Sequence, residues 1–493
     1  MREREVKLAP SPGFRLPDLT AVAPGVEARP ADQLDLQATY FDTADLRLVR
    51  GGASLRHRTD EGWTVKLPEP GRRGDLLVRH EHHFDGPPGT PPPRALDLVL
   101  GLARNAPVQP VSRLRTRRQR VELVDTDGKP LGEVVDDEVS VLDGRRLAAR
   151  FRELEVEVHD DVDDELANAV VARLRAAGAG EPDPTPKVVR ALGPRALDPS
   201  DVAVAPFTGG DAGTVVTAAL AASVARLVTH DPGVRLGEDP EAVHQARVAT
   251  RRLRSDLRTF GDLVDGIWAS SLRDELQWLG AALGAVRDAD VLLARLVAKV
   301  ERLPAHDRPV AQPVLDRLRA DRERARSELL EAMRTHRYLT LLDRLAAASH
   351  SPELSEDAEK TADTLVALVR MPWARLAESV EALQGDPPDE ALHEVRKDAK
   401  RVRYAAEAVA PVVGKPARRF ARAVTGLQDV LGEHQDAVVA EQWLRNALLT
   451  ASPGETFVIG QLAAMERADA HAARAEWAEV WRGTRRKKLR TWF

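Results

Sequence analysis

The 493-residue chain contains no cysteine, which excludes disulfides and thiolate metal sites. Aromatic residues make up only 4% of it, so the equipment for stacking on nucleic-acid bases is poor. No apolar run approaches a membrane span, and the opening Met1-Arg2-Glu3-Arg4-Glu5 does not read as a signal peptide. These absences lead to the expectation of a cytoplasmic protein. A net charge of −5 hides strong local segregation of sign, and the length implies two or more domains.

What is present begins with an internal echo. Glu241-Ala242-Val243-His244-Gln245-Ala246-Arg247 returns as Glu390-Ala391-Leu392-His393-Glu394-Val395-Arg396. At helical spacing His244, Arg247, Arg251, Arg254 and Arg258 fall on one stripe, and His393, Arg396, Lys400 and Arg403 repeat it. Lys397 adds a further cation to the second copy. An apolar seam runs one position earlier, through Val243, Ala246, Thr250, Leu253, Leu257 and Phe260, and through Leu392, Val395, Ala399, Val402, Ala406 and Val409. Each helix can bury one side and line up cations beside it, which points to a long polyanion held by a duplicated unit. Asp239-Pro240 reads as an N-cap followed by proline at the first helical position. A second echo relates Leu279–Asp288 to Leu427–Asp436. Its closing Asp288 and Asp436 read either as orienting partners for the cations or as helix-packing residues.

Residues 1 to about 160 instead alternate at period two and are broken by Gly and Pro, the pattern of antiparallel strands. Glu3, Glu5 and Lys7 share one face of the first strand. Arg56 with Arg58, Thr64 with Lys66, Arg79 with Glu81, Arg115 with Arg117, and Glu153, Glu155 and Glu157 do the same on later strands. Solvated salt bridges on open strand faces are one reading. A closed barrel with a polar lumen is the other: inward Arg and Lys pair with phosphate oxygens, and inward carboxylates hold Mg²⁺ or Mn²⁺. His80, His82 and His83 read as surface or structural residues. A helix is expected over 160–177, a linker-like stretch through Pro182 to Pro206, and helices from Gly213 onward.

The first 197 residues resemble the CYTH family, the triphosphate tunnel metalloenzymes. The resemblance rests on Glu3-Arg4-Glu5-Val6-Lys7, Tyr40-Phe41-Asp42-Thr43, Leu55-Arg56-His57-Arg58, Trp63-Thr64-Val65-Lys66-Leu67, Arg115-Thr116-Arg117, the Glu153–Glu157 row and Lys187-Val188-Val189-Arg190. It implies an eight-stranded antiparallel tunnel. It also implies metal binding by Glu3, Glu5, Glu153, Glu155 and Glu157, and substrate binding by Lys7, Arg56, Arg58, Lys66, Arg79, Arg115, Arg117 and Lys187. Glu3, Glu5 and Lys7 would be catalytic. Glu133 and Asp136 or Asp137 stand where the family has another acidic pair, with Asp137 taken as the metal-facing one.

Residues 213 to 490 resemble the CHAD domain, a duplicated all-α bundle, with repeats at about 213–350 and 360–490 behind a linker at 198–212. That resemblance implies polyphosphate binding by His244, Arg247, Arg251, Arg254, Arg258, His393, Arg396, Lys397, Lys400 and Arg403. Nucleic acid is the rival ligand for a basic surface, but the stripes carry no interleaved aromatics and no known motif. The expectation is therefore an α+β, two-domain, Mg²⁺- or Mn²⁺-dependent hydrolase of inorganic triphosphate or short polyphosphate that also binds polyphosphate. It would be cytoplasmic, with association to polyphosphate granules and oligomeric state left open. The alternatives are a non-catalytic polyphosphate-binding protein and a tunnel enzyme acting on nucleotides or thiamine triphosphate.

Overall fold

The computed structural model describes residues 2–68, 77–202, 204, 207 and 209–493, with Arg2, Glu3, Leu77 and Val78 described by backbone alone. The side chain of Glu3 thus lies outside the described residues. Two compact units divide the chain, Met1–Asp201 and Val202–Phe493.

The first unit contains β1 (Arg2–Pro10), β2 (Val26–Asp42), β3 (Ser54–Arg58), β4 (Gly62–Pro68), β5 (Leu77–Phe84), β6 (Gln109–Asp125), β7 (Pro130–Asp143), β8 (Arg146–Val158) and β9 (Ala179–Pro182). Its helices are α1 (Arg47–Arg50), α2 (Pro93–Ala103), α3 (Asp164–Ala176) and α4 (Lys187–Leu192). The strand order is β5-β4-β3-β2-β6-β7-β8-β1, and β1 pairs antiparallel with both β8 and β5. Eight strands therefore close, and β9 adds a short ninth beside the later part of β1.

Closure explains the mixed-charge faces. Val6, Leu8, Leu123, Val134, Leu154 and Val156 point outward, where Leu166, Val170 and Leu174 of α3 cover them. Strand alternation then turns Glu5, Lys7, Glu153 and Glu155 into the barrel. The two ends differ. Ala38, Tyr40, Leu114, Val139 and Val141 form an apolar plug with Val188 and Val189 of α4. The opposite end, at the β3–β4 and β6–β7 hairpins, is the mouth. The proline-rich stretch read as linker-like accordingly contains part of the barrel's architecture: Pro186 is the N-cap of α4, and β9 ends at Pro182.

The second unit comprises α5 (Ala212–Leu236), α6 (Pro240–Thr259), α7 (Gly266–Val300), α8 (Arg308–Arg334), α9 (His336–Ala348), α10 (Arg370–Glu381), α11 (Asp389–Ala408), α12 (Ala410–Val413), α13 (Lys415–Ala447) and α14 (Pro453–Thr484). The packed series α5–α6–α7–α8 is echoed by α10–α11–α13–α14, and α6 packs on α11 between the halves. The expected start at Asp239-Pro240 is present, with the Asp239 carboxylate accepting from Glu241 N–H at 2.8 Å. Gly237 ends α5 in the left-handed region, and Arg326 donates to the freed carbonyls of Val234 and Arg235 at 2.9 and 2.8 Å.

One expectation needs correcting: α5 is long and apolar enough, by length and composition, to cross a membrane. In the fold its apolar residues pack against α6 and α9. Its last turns carry a buried polar group in which Asp231 accepts from Arg235 at 2.7 Å and from Tyr338 at 2.6 Å. Alanine and valine spread through 25 residues, with charges gathered late, make that run less conspicuous than a continuous leucine-rich one.

Candidate functional site

The barrel register stacks the lumen charges in rows. Glu133, Glu157 and Glu5 are successive partners across β7, β8 and β1, with Val135, Glu155 and Lys7 forming the next row and Asp137 and Glu153 the row beyond. The first two rows, through Glu133, Glu157, Glu5, Glu155 and Lys7, border a cavity of about 290 Å³ whose other walls include Arg56, Arg58, Lys66, Arg79 and Lys187.

Each deep charge has a counter-charge on a neighbouring strand. Lys7 Nζ lies 2.9 Å from Glu5 Oε2 and 3.7 Å from Glu153 Oε1, and it also contacts Glu155. Lys187, delivered by α4, reaches Asp137 at 2.8 Å, Glu153 at 2.9 Å and Glu155 at 2.6 Å. Burial alone would raise the Glu5 carboxyl, but Lys7, Lys66 and Arg79 hold it well below its usual range. Asp137 is depressed in the same way, with Lys187 and Arg118 outweighing burial. Both carboxylates are therefore ionised at neutral pH.

Oxygen atoms of Glu5, Glu155 and Glu157 lie within 4.8 Å of one another. Glu5 Oε1 is buried without a hydrogen-bond partner, and Arg79 Nη2 stands 3.9 Å from it. Three convergent carboxylates with an unsatisfied oxygen suit a hard divalent cation such as Mg²⁺ or Mn²⁺. Glu133 borders the same cavity, while Glu153 and Asp137 sit deeper against Lys187.

Arg115 and Arg117 depart from expectation. Both are exposed on the outside of the barrel, and Arg115 lies 3.7 Å from the equally exposed Asp35. Leu114 and Thr116 take the inward positions before them, so alternation directs Arg118 and Arg120 into the lumen. Arg118 donates to Asp137 at 2.9 and 2.8 Å and to Glu155 at 3.1 Å, and Arg120 lies 2.8 Å from Glu133. Asp136 faces outward and pairs with Arg152 at 2.6 Å.

In the helical unit α6 and α11 bring part of both stripes together. Lys400 is flanked by Arg396, Arg251 and Arg247. Burial first, then those cations, push it down to about 7 against the pull of Asp436. His244 is also lowered, by burial and then by Arg287. Arg251 Nε and Arg396 Nε are buried donors without a hydrogen-bond partner, and the His393 Nδ1 ring nitrogen is buried without one as well. The outer stripe positions are more dispersed. Arg254 donates to Gln277 at 3.0 Å, Arg258 is exposed with Arg273 and Arg401 near it, and Lys397 pairs with Glu394. Arg403 lies over the Tyr404 ring at 4.6 Å and pairs with Glu407 at 3.5 Å. Tyr404 is itself buried, so it offers no platform for a base.

The CYTH domain family matches residues 1–188, and the CHAD domain family matches residues 218–445. The uncharacterized protein Rv2226 of Mycobacterium tuberculosis is 34% identical over 468 residues, covering 89% of this chain and 87% of its own length. The chain belongs to the CYTH–CHAD proteins. Among solved structures, PptA from Streptomyces chartreusis is 27% identical, with a TM-score of 0.48 over 55% of this chain and 100% of its own. The CHAD domain from the plant Ricinus communis is 24% identical, with a TM-score of 0.47 over 57% of this chain and 94% of its own.

Sequence reasoning missed Arg118 and Arg120 in the CYTH domain, although a signal for them was present. Val121 and Leu123 belong to the outer apolar face and share parity with Arg115 and Arg117, which places those arginines outside. In the CHAD domain the second echo acquires a geometric meaning. Gly284 of α7 and Gly432 of α13 leave room for Arg247 and Arg396: a Cβ at Gly284 would overlap the Arg247 guanidinium, and one at Gly432 would sit 3.4 Å from Arg396 Nε. Asp288 then pairs with Arg247 at 3.2 Å, and Asp436 faces Arg396 and Lys400. The orienting reading of both aspartates is the one this geometry favours. Gly284→Val should displace Arg247 and lower any affinity of this seam for a polyanion such as polyphosphate several-fold, with the melting temperature nearly unchanged, because only the end of a flexible side chain has to move. Calorimetric titration and thermal denaturation of the same preparation would check both halves of this expectation.

Proposed function

We propose that the CYTH domain hydrolyses inorganic triphosphate, or the end of a short polyphosphate, with a divalent metal ion, and that the CHAD domain binds polyphosphate at the α6–α11 seam. CYTH enzymes are triphosphatases or cyclases that depend on divalent metals, and CYTH and CHAD domains are associated with triphosphate and polyphosphate binding. The observation that carries the hydrolase reading is the Glu5–Glu155–Glu157 carboxylate cluster inside a lumen lined with cations.

Glu5, Glu155 and Glu157 would hold the metal ion. Bound there, it would supply charge neutralisation for the phosphates and an activated water. Arg56, Arg58, Lys66 and Arg79 present donors from three adjoining strands, suited to hold phosphate oxygens without reorganisation. Lys7 and Lys187 stand deeper, each already between carboxylates, where they can stabilise charge on a departing phosphate as those carboxylates engage the metal ion. The walls argue against a nucleotide: among the described residues, apart from Leu34, Tyr40, Pro186 and Val188, the cavity is lined by charged residues and a serine, leaving little apolar surface for a base. In the CHAD domain, the orphaned Nε donors of Arg251 and Arg396 would be satisfied by the oxygens of a phosphate chain.

Glu5→Gln should reduce metal-dependent phosphate release from triphosphate by at least about 100-fold. Outer partners of metal ligands typically matter about 10- to 100-fold, and a ligand itself should matter more. A phosphate-release assay at saturating Mg²⁺ or Mn²⁺, paired with a melting curve, would check this. Turnover retained by a folded Glu5→Gln protein would remove Glu5 from the site.

Polyphosphate binding by the CHAD domain should weaken as pH rises from 6 to 8. Lys400 is positively charged below about 7 and loses that charge above it, so the attraction to a polyanion declines through this window. Lys400→Arg keeps the charge and should flatten that part of the profile. Titrations at fixed ionic strength are required, since salt screens the same interaction.

A further inference from the structure

Two sets of lumen cations differ in the kind of carboxylate they meet. Lys7, Lys187 and Arg118 pair with Glu5, Asp137, Glu153 and Glu155, whose side chains are between 0% and 3% exposed on regular strands. Arg56 and Arg58 differ. Their partners, Asp60 and Glu61, sit in the turn between β3 and β4 at the mouth and are 35% and 31% exposed. Arg58 donates to both oxygens of Asp60, at 2.7 and 3.1 Å, and also contacts Glu61. Arg56 donates to the other Glu61 oxygen at 2.9 Å. One carboxylate at the mouth thus bridges two lumen arginines.

Phosphate entering the lumen must compete with these carboxylates for the same guanidinium donors. An ion pair whose carboxylate stands on a turn and is about one-third exposed can open by side-chain rotation, with the carboxylate returning to water. The buried pairs deeper in the barrel cannot open at comparable cost, because each partner would be left desolvated. Chain length adds a second effect. The far end of the lumen is filled by the α4 plug, so a chain longer than the cavity must leave its extra phosphates at the mouth. There they meet the displaced negative charges of Asp60 and Glu61.

We infer that Asp60 and Glu61 are specificity-determining residues, an acidic latch that competes for Arg56 and Arg58 and disfavours phosphate chains longer than the lumen accommodates. This rests on the proposal that the lumen takes inorganic oligophosphates, and it names what limits their length.

The test compares the full-length wild type with Glu61→Gln and with the double variant Asp60→Asn/Glu61→Gln. Dissociation constants for inorganic triphosphate and inorganic tetraphosphate are measured calorimetrically without divalent metal, and KM and kcat with Mg²⁺. The helical domain is identical in all three proteins, so differences between them report on the lumen. Removing the latch should tighten triphosphate about threefold and tetraphosphate about tenfold, the scale of one to two partly exposed ion pairs that no longer compete. The gain should appear in Kd and KM rather than in kcat. Unchanged or weaker binding in a folded variant would overturn the latch, and equal gains for both ligands would overturn its role in chain length. If the double variant did not fold, Glu61→Gln alone would read the same ratio. Binding gains without turnover in any protein would contradict the hydrolase reading and leave the latch standing. Absence of binding to the wild type would overturn both.

Discussion

A carboxylate or an ammonium taken out of water costs several kcal/mol unless a counter-charge meets it in good geometry, and the CYTH barrel gathers many of both inside one lumen. The arrangement holds because adjoining strands deliver opposite charges to neighbouring rows. Lys7 sits among Glu5, Glu153 and Glu155, Lys187 among Asp137, Glu153 and Glu155, and Arg118 between Asp137 and Glu155. The outer faces of the same strands carry an apolar stretch, through Val6, Leu8, Leu123, Val134, Leu154 and Val156, that α3 covers, so the barrel carries part of its hydrophobic core outside its wall. Every functional proposal for this domain depends on that inversion. Charges neutralised by one another in the closed lumen are the same charges that could exchange partners for a metal ion and phosphate.

The CHAD domain handles charge differently. Its seam gathers Arg247, Arg251, Arg396 and Lys400 with Asp288 and Asp436 as acidic neighbours, and it leaves several buried donors without an acceptor. Such a surplus is unfavourable in isolation: burial first, and then Arg396, Arg251 and Arg247, depress Lys400 to about 7. Glycines in the two facing helices let the arginines lie close against α7 and α13, so the duplicated echo encodes a duplicated steric allowance as well as a duplicated charge. The two domains thus present contrasting electrostatics: a lumen whose cations have carboxylate partners, and a seam where Arg247, Arg251, Arg396 and Lys400 outnumber Asp288 and Asp436.

Alternation made most of the barrel legible. Glu5 and Lys7 on β1, Glu153 to Glu157 on β8, and Arg56 with Arg58 on β3 all face the lumen as period two requires. It failed on β6, where cations occupy both faces from Arg113 to Arg120 and the charge pattern alone does not fix the phase. The apolar residues that follow, Val121 and Leu123, do fix it. The α4 plug was hidden for another reason. Six prolines between 182 and 206 suggest an extended linker, yet Pro186 starts a helix as readily as it breaks one, and Val188 and Val189 are buried. Asp60 and Glu61 were not legible as partners of Arg56 and Arg58, because a turn residue gains its neighbours only when the hairpin forms. For the helices, the His-x-x-Arg echo located α6 and α11, but the meeting of their stripes is a tertiary fact that no single-helix pattern contains.

The central claim is that the lumen carboxylates trade their lysine partners for a metal ion when an oligophosphate enters. The most direct measurement is anomalous diffraction from crystals grown with Mn²⁺ and a non-hydrolysable triphosphate analogue. The account predicts a manganese peak bounded by Glu5, Glu155 and Glu157, with analogue oxygens against Arg56, Arg58, Lys66 and Arg79. A lumen without manganese, with Lys7 still paired to Glu5 and the analogue bound only to the helical domain, would contradict it.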